Sequence, residues 1–333
     1  IGTYQGNIVE LTLTEPADLK IGMRKSVYVD ADWTIFDNFK LVYYGPVQSD
    51  IIEDGTYYMK NVGANLFLTG GNNWGTQASL HETGIDFELT QLSNGNYTIK
   101  SNVGTGYSIY LSPDGVSGFL DKASTEYVFE NVEGSFYVFY KDGTANYLTS
   151  NDDDTRANFN GSDKYSPDAQ WELLTKQDLI DGLSAASTIN PMNATFLIPG
   201  FDFNRNDSRN GKWEGGPVCG GYNDYRQCAE KWNTNFDVYQ ELTGLPNGLY
   251  KLSVQGFYRA GNIGSTSTEQ NAFLYANGVE TPLMNINTEY IASVPTDKTS
   301  ACDAFVNGLY RDNSIFVNVT DGKLRVGIRK ETL

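Results

Sequence analysis

A period of about forty residues recurs three times between residues 54 and 175, and it constrains the fold more than any other feature of the sequence. Each unit opens on a tyrosine, continues through an aromatic–Leu–hydroxyl run (FLT, YLS or YLT), and closes on an aromatic residue followed by Glu. The opening residues are Tyr58, Tyr97 and Tyr137, and the closing ones are Phe87, Phe129 and Trp171. A unit this short cannot bury an apolar face alone, so the three units must share one core. Four short strands in each of three units predict a β-trefoil.

The layout of residues 47–175 resembles that of ricin-type β-trefoils, which commonly bind sugars. The Gln-x-Trp signature of that family is altered here, since Gln170 directly precedes Trp171 in AQWEL. We therefore carry over none of the family's sugar-binding residues. Trp74, in GGNNWGTQ, is the tryptophan that we expect on a loop of this segment. It would either contact a ligand or cap the end of the barrel.

A second repeat links the two ends of the chain. LKIGMRKS begins at Leu19 and LRVGIRKE begins at Leu324, and four of their eight positions are identical. A run of alternating apolar residues and a short turn precede each motif, which is typical of a β-hairpin. The matched apolar residues of the first strands are Val9, Leu11 and Leu13 in one copy and Ile315, Val317 and Val319 in the other.

The two copies differ in what lies beyond them. DWTIFDNFKLVYYG follows the first copy and reads as a closing strand, so residues 1–46 are interpreted as the C-terminal strands of a β-sandwich. Residues 192–333 are interpreted as a like sandwich that lacks its closing strand. We expect the chain to be a window from a longer array of repeated domains. The alternative is strand complementation, in which the leading tail completes a sandwich of this chain or a neighbouring one.

The last domain and the segment that joins it to the trefoil each contain a sequence pattern that predicts structure. In TKQDLIDGLSAAST, Thr175 and Asp178 predict a capping box, so residues 176–191 are read as a helical linker. The stretch ATFLI is read as the first strand of the domain, and VYQELTGLPNGLYKLSVQGFYR looks like galactose-binding-like jelly-roll sandwiches, the architecture of many carbohydrate-binding modules. Chains that join such sandwiches to trefoils look like secreted, cell-surface glycan-handling proteins of gut bacteria. The predicted fold class is all-β.

A long loop in this domain interleaves aromatic and polar side chains. Aromatic rings stack on the C–H faces of sugars, while amide, carboxylate and guanidinium groups bond their hydroxyls. The alternative is that the rings pack over the sandwich end and the polar groups make turn bonds. The candidate carbohydrate contacts are Trp213, Tyr222, Asn223, Tyr225, Arg226, Trp232, Asn233 and Asn235, together with Trp74.

Cysteines and acidic runs suggest few further sites. Cys219 and Cys228 lie nine positions apart in one loop, and they either form a disulfide in an oxidising compartment or stay reduced. A zinc site is not expected because no second cysteine pair accompanies them. Asp152–Asp154 and Asp202 could hold a structural calcium ion, although solvated turn carboxylates are the favoured interpretation. No metal site or other cofactor is predicted.

Charge and motif content limit the classes of function. The net charge of −17 disfavours nucleic acid and anionic membranes as partners. The sequence holds one histidine, His81, and none of the common nucleophile, zincin or phosphate-loop motifs, so no enzyme activity is predicted. The predicted function is non-catalytic extracellular glycan binding. The alternatives are a structural or adhesive tandem-repeat protein joined by strand complementation, and an accessory part of a glycoside hydrolase.

Overall fold

A computed structural model of the chain describes most of its length. The described residues are 9, 11, 13, 17–35, 39–41, 51–71, 75–101, 109–132, 136–151, 154–203, 212–219, 228–288, 294–311 and 313–331. Within these residues the fold is all-β, with short helical segments, as the sequence predicted. Neither α-helix in this part of the chain is long and apolar enough to span a membrane.

Residues 55–174 form twelve short strands, four in each of the three sequence units. The first unit contains β1 (Gly55–Asn61), β2 (Phe67–Gly71), β3 (Gln77–His81) and β4 (Asp86–Gln91). The second contains β5 (Tyr97–Ser101), β6 (Tyr110–Asp114), β7 (Ser117–Lys122) and β8 (Tyr127–Val132). The third contains β9 (Phe136–Lys141), β10 (Tyr147–Asn151), β11 (Asp154–Gly161) and β12 (Trp171–Leu174).

The strand pairing closes in two rings. The first and fourth strands of each unit form a barrel in the order β1-β4-β5-β8-β9-β12, and β12 returns to pair with β1. The middle strands form three hairpins, β2-β3, β6-β7 and β10-β11, which also pair with one another in a triangle. A six-stranded barrel capped by three hairpins is a β-trefoil, which confirms the prediction from the sequence period.

The trefoil core repeats the burial pattern three times. The opening tyrosines, Tyr58, Tyr97 and Tyr137, are all buried, and so are the leucines of the FLT, YLS and YLT runs. Polar ends of core residues are satisfied by backbone: the Trp171 Nε1 group donates a hydrogen bond of 2.9 Å to the carbonyl oxygen of Leu148. The Tyr127 hydroxyl donates one of 2.8 Å to Leu111. These bonds fix the hairpins on the barrel, because burying an unpaired donor would destabilise the core.

A short helix forms at the predicted joint, over fewer residues than the predicted range 176–191. Helix α1 (Lys176–Gly182) begins after Thr175, whose hydroxyl accepts a hydrogen bond of 3.1 Å from the Asp178 backbone, while the Asp178 carboxylate accepts one of 2.8 Å from the Thr175 backbone. This reciprocal pair is a capping box. Ile180 and Leu183 on the apolar stripe pack against the core of the following domain.

The stretch ATFLI does not form the strand that its apolar run predicted. Residues Thr195–Leu197 form a 3₁₀ turn instead. A strand would send Phe196 and Leu197 to opposite faces of one sheet. The turn buries Leu197 in the core of the last domain and sets the Phe196 ring edge-on to Tyr58 of the trefoil, with 6.1 Å between ring centroids. Phe196 also packs against the core of the last domain, so the turn places both adjacent side chains on that core, which a strand would not do.

Within the described residues, the last domain contains two main sheets and one α-helix. Its elements are β13 (Val218–Cys219), β14 (Ala229–Glu230), β15 (Phe236–Thr243), β16 (Gly248–Val254), β17 (Ala272–Ala276), β18 (Val279–Pro282), α2 (Lys298–Val306), β19 (Asn313–Val319) and β20 (Lys323–Lys330). One sheet has the order β15-β20-β17-β18 and the other consists of β16 and β19, while β13 pairs with β14 apart from them. The core between the main sheets includes Leu242, Leu274, Val317 and Val326.

The hairpin predicted at the end of the chain is an arch between the sheets. Strands β19 and β20 do not pair with each other: β19 pairs with β16, and β20 pairs with β15 and β17. Strands β15 and β16 form a second arch, because β15 pairs with β20 and β16 with β19. The two arches meet at their turns, where the Leu245 backbone amide donates to the carbonyl oxygen of Gly322 and the Asn247 side chain accepts from the Gly322 amide. The alternation of apolar residues predicted the buried faces of both strands correctly. The two strands of an arch face one core, just as the two strands of a hairpin do.

The leading repeat copy behaves differently from its counterpart. Residues Ile315, Val317, Val319, Leu324 and Val326 are all buried in the sandwich core. The matched residues Val9, Leu11, Leu13, Leu19 and Ile21 are all exposed, and no strand forms among the described residues between 9 and 41. The assignment of residues 1–46 to a sandwich therefore stays a prediction.

Candidate functional site

A cavity of about 1760 Å³ runs along the last domain. Its lining includes apolar residues of both sheets, such as Leu252 and Leu274, and polar residues around Trp232. Gly71 and Gly75 of the trefoil line it as well. Several of the apolar lining residues, Leu274 among them, also belong to the buried core of the sandwich. The polar end around Trp232 is therefore the part of the cavity that matters for a ligand.

Trp232 is an exposed aromatic residue of this cavity, as is Phe316. The Trp232 side chain follows β14 and keeps 68% of its surface accessible. The guanidinium carbon of Arg259 lies 5.9 Å from the centre of its ring, within the range of a cation–π contact. Arg259 is anchored in turn, since its Nη1 group donates a hydrogen bond of 3.3 Å to the carbonyl oxygen of Pro295. The pair presents a flat apolar surface beside a fixed cation.

The residues after Trp232 are held by the end of the neighbouring sheet. Asn233 adopts a left-handed backbone with φ of 46°, which asparagine tolerates better than most residues, and its side chain is exposed. The Lys330 ammonium donates to the carbonyl oxygen of Thr234 at 3.4 Å, and the Thr234 hydroxyl donates to that of Asn235 at 3.0 Å. Asn233 and Asn235 are therefore placed on the same exposed turn as Trp232.

Trp213 has a different environment from Trp232. Its Nε1 group donates a hydrogen bond of 3.0 Å to the carbonyl oxygen of Gly200, and its ring lies 4.9 Å from that of Phe203. The side chain also packs against the sandwich core. These contacts match the packing alternative for Trp213, while Trp232 keeps its ring accessible to a ligand.

Five of the sequence-predicted contacts lie outside the described residues. These are Trp74, Tyr222, Asn223, Tyr225 and Arg226. Sequence reasoning missed Arg259, which stands in GFYRAG, 27 positions after Trp232. The sequence signal for Arg259 was its position just past the strand GLYKLSV, where a cation interrupts an aromatic run.

Cys228 has a neighbour that the spacing of the sequence did not indicate. Its sulfur atom lies 3.2 Å from that of Cys302, 74 positions away, and both residues are buried. The backbone register of β13 and β14 pairs Cys219 with Ala229. The possible disulfide between Cys219 and Cys228 stays a prediction.

A smaller polar cavity of about 290 Å³ lies on the third unit of the trefoil. Its side-chain groups are largely bonded to one another: the Thr149 hydroxyl donates to Asn160 at 2.6 Å, and the Ser150 hydroxyl donates to Asp168 at 3.3 Å. Tyr165, beside this cavity in sequence, is exposed. The acidic run Asp152–Asp154 extends beyond the described residues, and among those described no group of three His, Cys, Asp or Glu side chains could hold a metal ion.

One charged cluster stabilises the sheet next to the cavity. The Tyr275 hydroxyl donates a hydrogen bond of 2.6 Å to Asp237, whose other carboxylate oxygen lies 2.9 Å from the Arg325 guanidinium. Arg325 also stacks over the Tyr239 ring, with 3.6 Å between its guanidinium carbon and the ring centre. Burial and the bond to Asp237 raise the pKa of Tyr275 to about 12. These partners satisfy one another, so the cluster is read as structural.

Comparisons with known proteins return structural similarities alone. No protein-family model matches the chain, and no curated protein matches it. A ricin B-like lectin from Macrolepiota procera, in complex with lactose, aligns over 37% of this chain and 97% of its own, at 12% identity and a TM-score of 0.32. A Culex quinquefasciatus salivary protein of the Cysteine and Tryptophan-Rich family aligns over 38% of this chain and 97% of its own, at 12% identity and a TM-score of 0.31.

A longer alignment is found with the protein Cry35Ab1. It covers 83% of this chain and 81% of Cry35Ab1, at 12% identity and a TM-score of 0.31. TM-scores this low carry no argument about function. The trefoil assignment rests instead on the two closed rings of strand pairing.

Proposed function

We propose that this chain binds glycans without catalysing a reaction, and that Trp232 is the stacking platform of the site. The observation that carries the proposal is the exposed ring of Trp232 beside the anchored guanidinium of Arg259. The ring lies at a cavity and beside a fixed cation, which distinguishes it from exposed aromatics elsewhere in the described residues such as Trp33.

The chemistry of the surrounding groups fits a sugar. The Trp232 ring can stack on the C–H face of a pyranose, and Arg259 can donate to ring or exocyclic hydroxyl oxygens. Asn233, on the same turn, offers both a donor and an acceptor to a hydroxyl pair.

The biological setting is part of the same proposal. The combination of a trefoil with a jelly-roll-like sandwich resembles secreted, cell-surface glycan-handling proteins. In that setting the chain would hold a glycan for a larger protein, either as a lectin segment or as an accessory part of a glycoside hydrolase.

A glycan array tests the proposal directly. The wild-type chain is compared with Trp232→Ala and with Tyr165→Ala, a matched loss of an exposed aromatic side chain on the trefoil. We expect wild-type and Tyr165→Ala to bind the same glycans and Trp232→Ala to lose at least tenfold in affinity. Absence of binding by the wild-type chain would contradict the function. Loss in Tyr165→Ala alone would move the site to the trefoil.

A second candidate function is a structural array joined by strand complementation. It is favoured by the contrast between the two repeat copies, since Val9, Leu11 and Ile21 are exposed whereas their counterparts are buried in a sandwich core. The leading segment of one chain would then pack against the sandwich of another.

The oligomeric state tests this second candidate. In light scattering over a range of concentrations, wild-type chain should associate, and Ile21→Asp should shift it to monomer. Ser26→Asp, a nearby exposed substitution, is the control. A wild-type chain that stays monomeric at all concentrations would exclude the array.

A further inference from the structure

We propose that Cys228 and Cys302 form a disulfide when the protein meets an oxidising environment. Their sulfur atoms lie 3.2 Å apart as thiols, and the Cys302 thiol donates to the Cys228 sulfur. A disulfide bond measures about 2.05 Å, so closing the bond requires a shift of about 1 Å, which side-chain rotation and small backbone adjustments supply. Neither residue was paired with the other in the sequence predictions.

Two polar contacts hold helix α2 in place beside the strand that follows Cys228. Cys302 lies in the middle of α2, and Lys298 lies one turn earlier on the same face of the helix. The Lys298 ammonium is 3.2 Å from the carboxylate of Glu230, which is two residues after Cys228. The start of α2 is fixed as well, because the Asp297 carboxylate accepts a hydrogen bond of 2.8 Å from the Ser300 amide. The sulfur pair therefore belongs to a packed helix–strand contact.

The competing partner of Cys228 is Cys219. The register of the short sheet places Cys219 opposite Ala229, one residue beyond Cys228. The Cys302 sulfur, in contrast, already lies 3.2 Å from the Cys228 sulfur, and both residues are buried. The geometry therefore favours the long-range pair over the pair that lies nine positions apart.

The reaction is a thiol–disulfide exchange with a small-molecule disulfide such as oxidised glutathione. The thiolate of one cysteine attacks the reagent, forms a mixed disulfide and releases one small thiolate. The second cysteine then attacks the protein-bound sulfur and displaces the second small thiolate. Two protein thiols are oxidised, one reagent disulfide is reduced, and the two thiol protons pass to the released thiolates. The hydrogen bond with Cys302 and burial raise the pKa of the Cys228 thiol, so exchange is expected mainly before folding is complete.

The bond would also stiffen the proposed binding region. Cys228, Trp232, Lys298 and Cys302 line the same cavity, so the disulfide would tie the strand before Trp232 to α2. Because the bond closes a loop of 74 residues, it restricts the unfolded chain strongly, and the melting temperature should rise by about 5–15 °C. This inference does not depend on glycan binding.

Peptide mapping distinguishes the pairings, because trypsin separates all three cysteines. Cleavage after Lys or Arg yields the peptides 213–226, 227–231 and 299–311, with one cysteine each. The protein is refolded with oxidised and reduced glutathione, alkylated without reduction, digested and analysed by mass spectrometry. We expect QCAEK joined to TSACDAFVNGLYR, with Cys219 alkylated. A link between 213–226 and 227–231, or alkylation of all three cysteines, would overturn the proposal.

Variants give a second readout that does not depend on the digest. Cys219→Ser should keep the cross-link and the higher melting temperature of the oxidised protein. Cys302→Ser should remove both, and its melting temperature should not change when a reducing agent is added. Equal melting temperatures of oxidised and reduced wild-type protein would count against the bond.

Discussion

Arg259 places its guanidinium carbon 5.9 Å from the centre of the Trp232 ring, and a hydrogen bond to the carbonyl oxygen of Pro295 holds it there. The two residues come from separate loops of the sandwich domain. An anchored cation beside an exposed ring keeps the orientation of that ring defined before a ligand arrives. Less conformational entropy is then lost on binding.

Replacing Arg259 with Met should weaken glycan binding without abolishing it. A cation–π contact at an exposed site contributes about 0.5–1 kcal/mol, so losing it should lower the affinity for the glycan about two- to fivefold. Any hydrogen bond from Arg259 to the sugar would add to this loss of affinity. Titration calorimetry with a glycan identified on the array measures the change. Lys122→Met, on the trefoil, is the control and should bind as wild type does. Unchanged affinity in Arg259→Met would remove Arg259 from the site.

Trp171→Phe should destabilise the trefoil. The substitution leaves the carbonyl oxygen of Leu148 without its donor and opens a gap in a fully buried position, for a total of about 2–4 kcal/mol. Urea unfolding followed by circular dichroism measures the loss. Trp33→Phe changes the same side chain at an exposed position and should leave the unfolding midpoint in place. Similar midpoints for both variants would contradict the assigned core role.

The Tyr275 cluster should make the sandwich sensitive to alkaline pH. The folded-state pKa of Tyr275, about 12, lies above the ordinary value of 10.0, so its contribution to stability is complete below pH 10 and is lost as the pH rises towards 12. The melting temperature should therefore fall more steeply above pH 10 in wild type than in Tyr275→Phe. Parallel curves for the two proteins between pH 9 and 11 would rule out this linkage.

Glu214 pairs with Tyr239 of β15 in an isolated antiparallel β-bridge, and Gly215→Ala should disrupt it. Gly215 has a φ of 78°, and an added Cβ atom would overlap the carbonyl oxygen of Asp237. The neighbouring Gly216→Ala is the matched control, because its φ is also positive, at 57°, but its Cβ would meet open space. We expect a loss of about 1–2 kcal/mol in the control from backbone strain alone, and a larger loss in Gly215→Ala. Equal losses in thermal melts would show that strain, and not overlap, decides the effect.

The trefoil was predictable from the sequence because the residue pattern that specifies it is short and recurs in three units. Each unit places a tyrosine, a leucine and a closing aromatic in the same order. The tyrosines and leucines are buried, and the closing aromatics are either buried or packed against the core. The arch of β19 and β20 was not predictable, because apolar alternation marks the face of a strand and not its partner. The hairpin and the arch bury the same residues, Ile315 and Val326 among them, with different hydrogen bonds.

The site was predictable in part for a similar reason. The aromatic loop drew attention to Trp232, but Arg259 and Cys302 reach their positions through long-range packing. Cys302 meets Cys228 across 74 positions, a separation at which spacing carries no signal. The packing of Trp213 against Phe203 also depends on a turn that no residue pattern indicated.

The pairing of β1 with β12 means that the chain enters and leaves the trefoil side by side. Tyr58 lies opposite Leu174 in an antiparallel register, so the polypeptide arrives and departs about 5 Å apart at the same end of the barrel. A module with such adjacent ends can be excised, or transplanted into a surface loop of another protein, without stretching its host. The barrel closes on itself through this strand pair, and the segments before and after it therefore begin at neighbouring points.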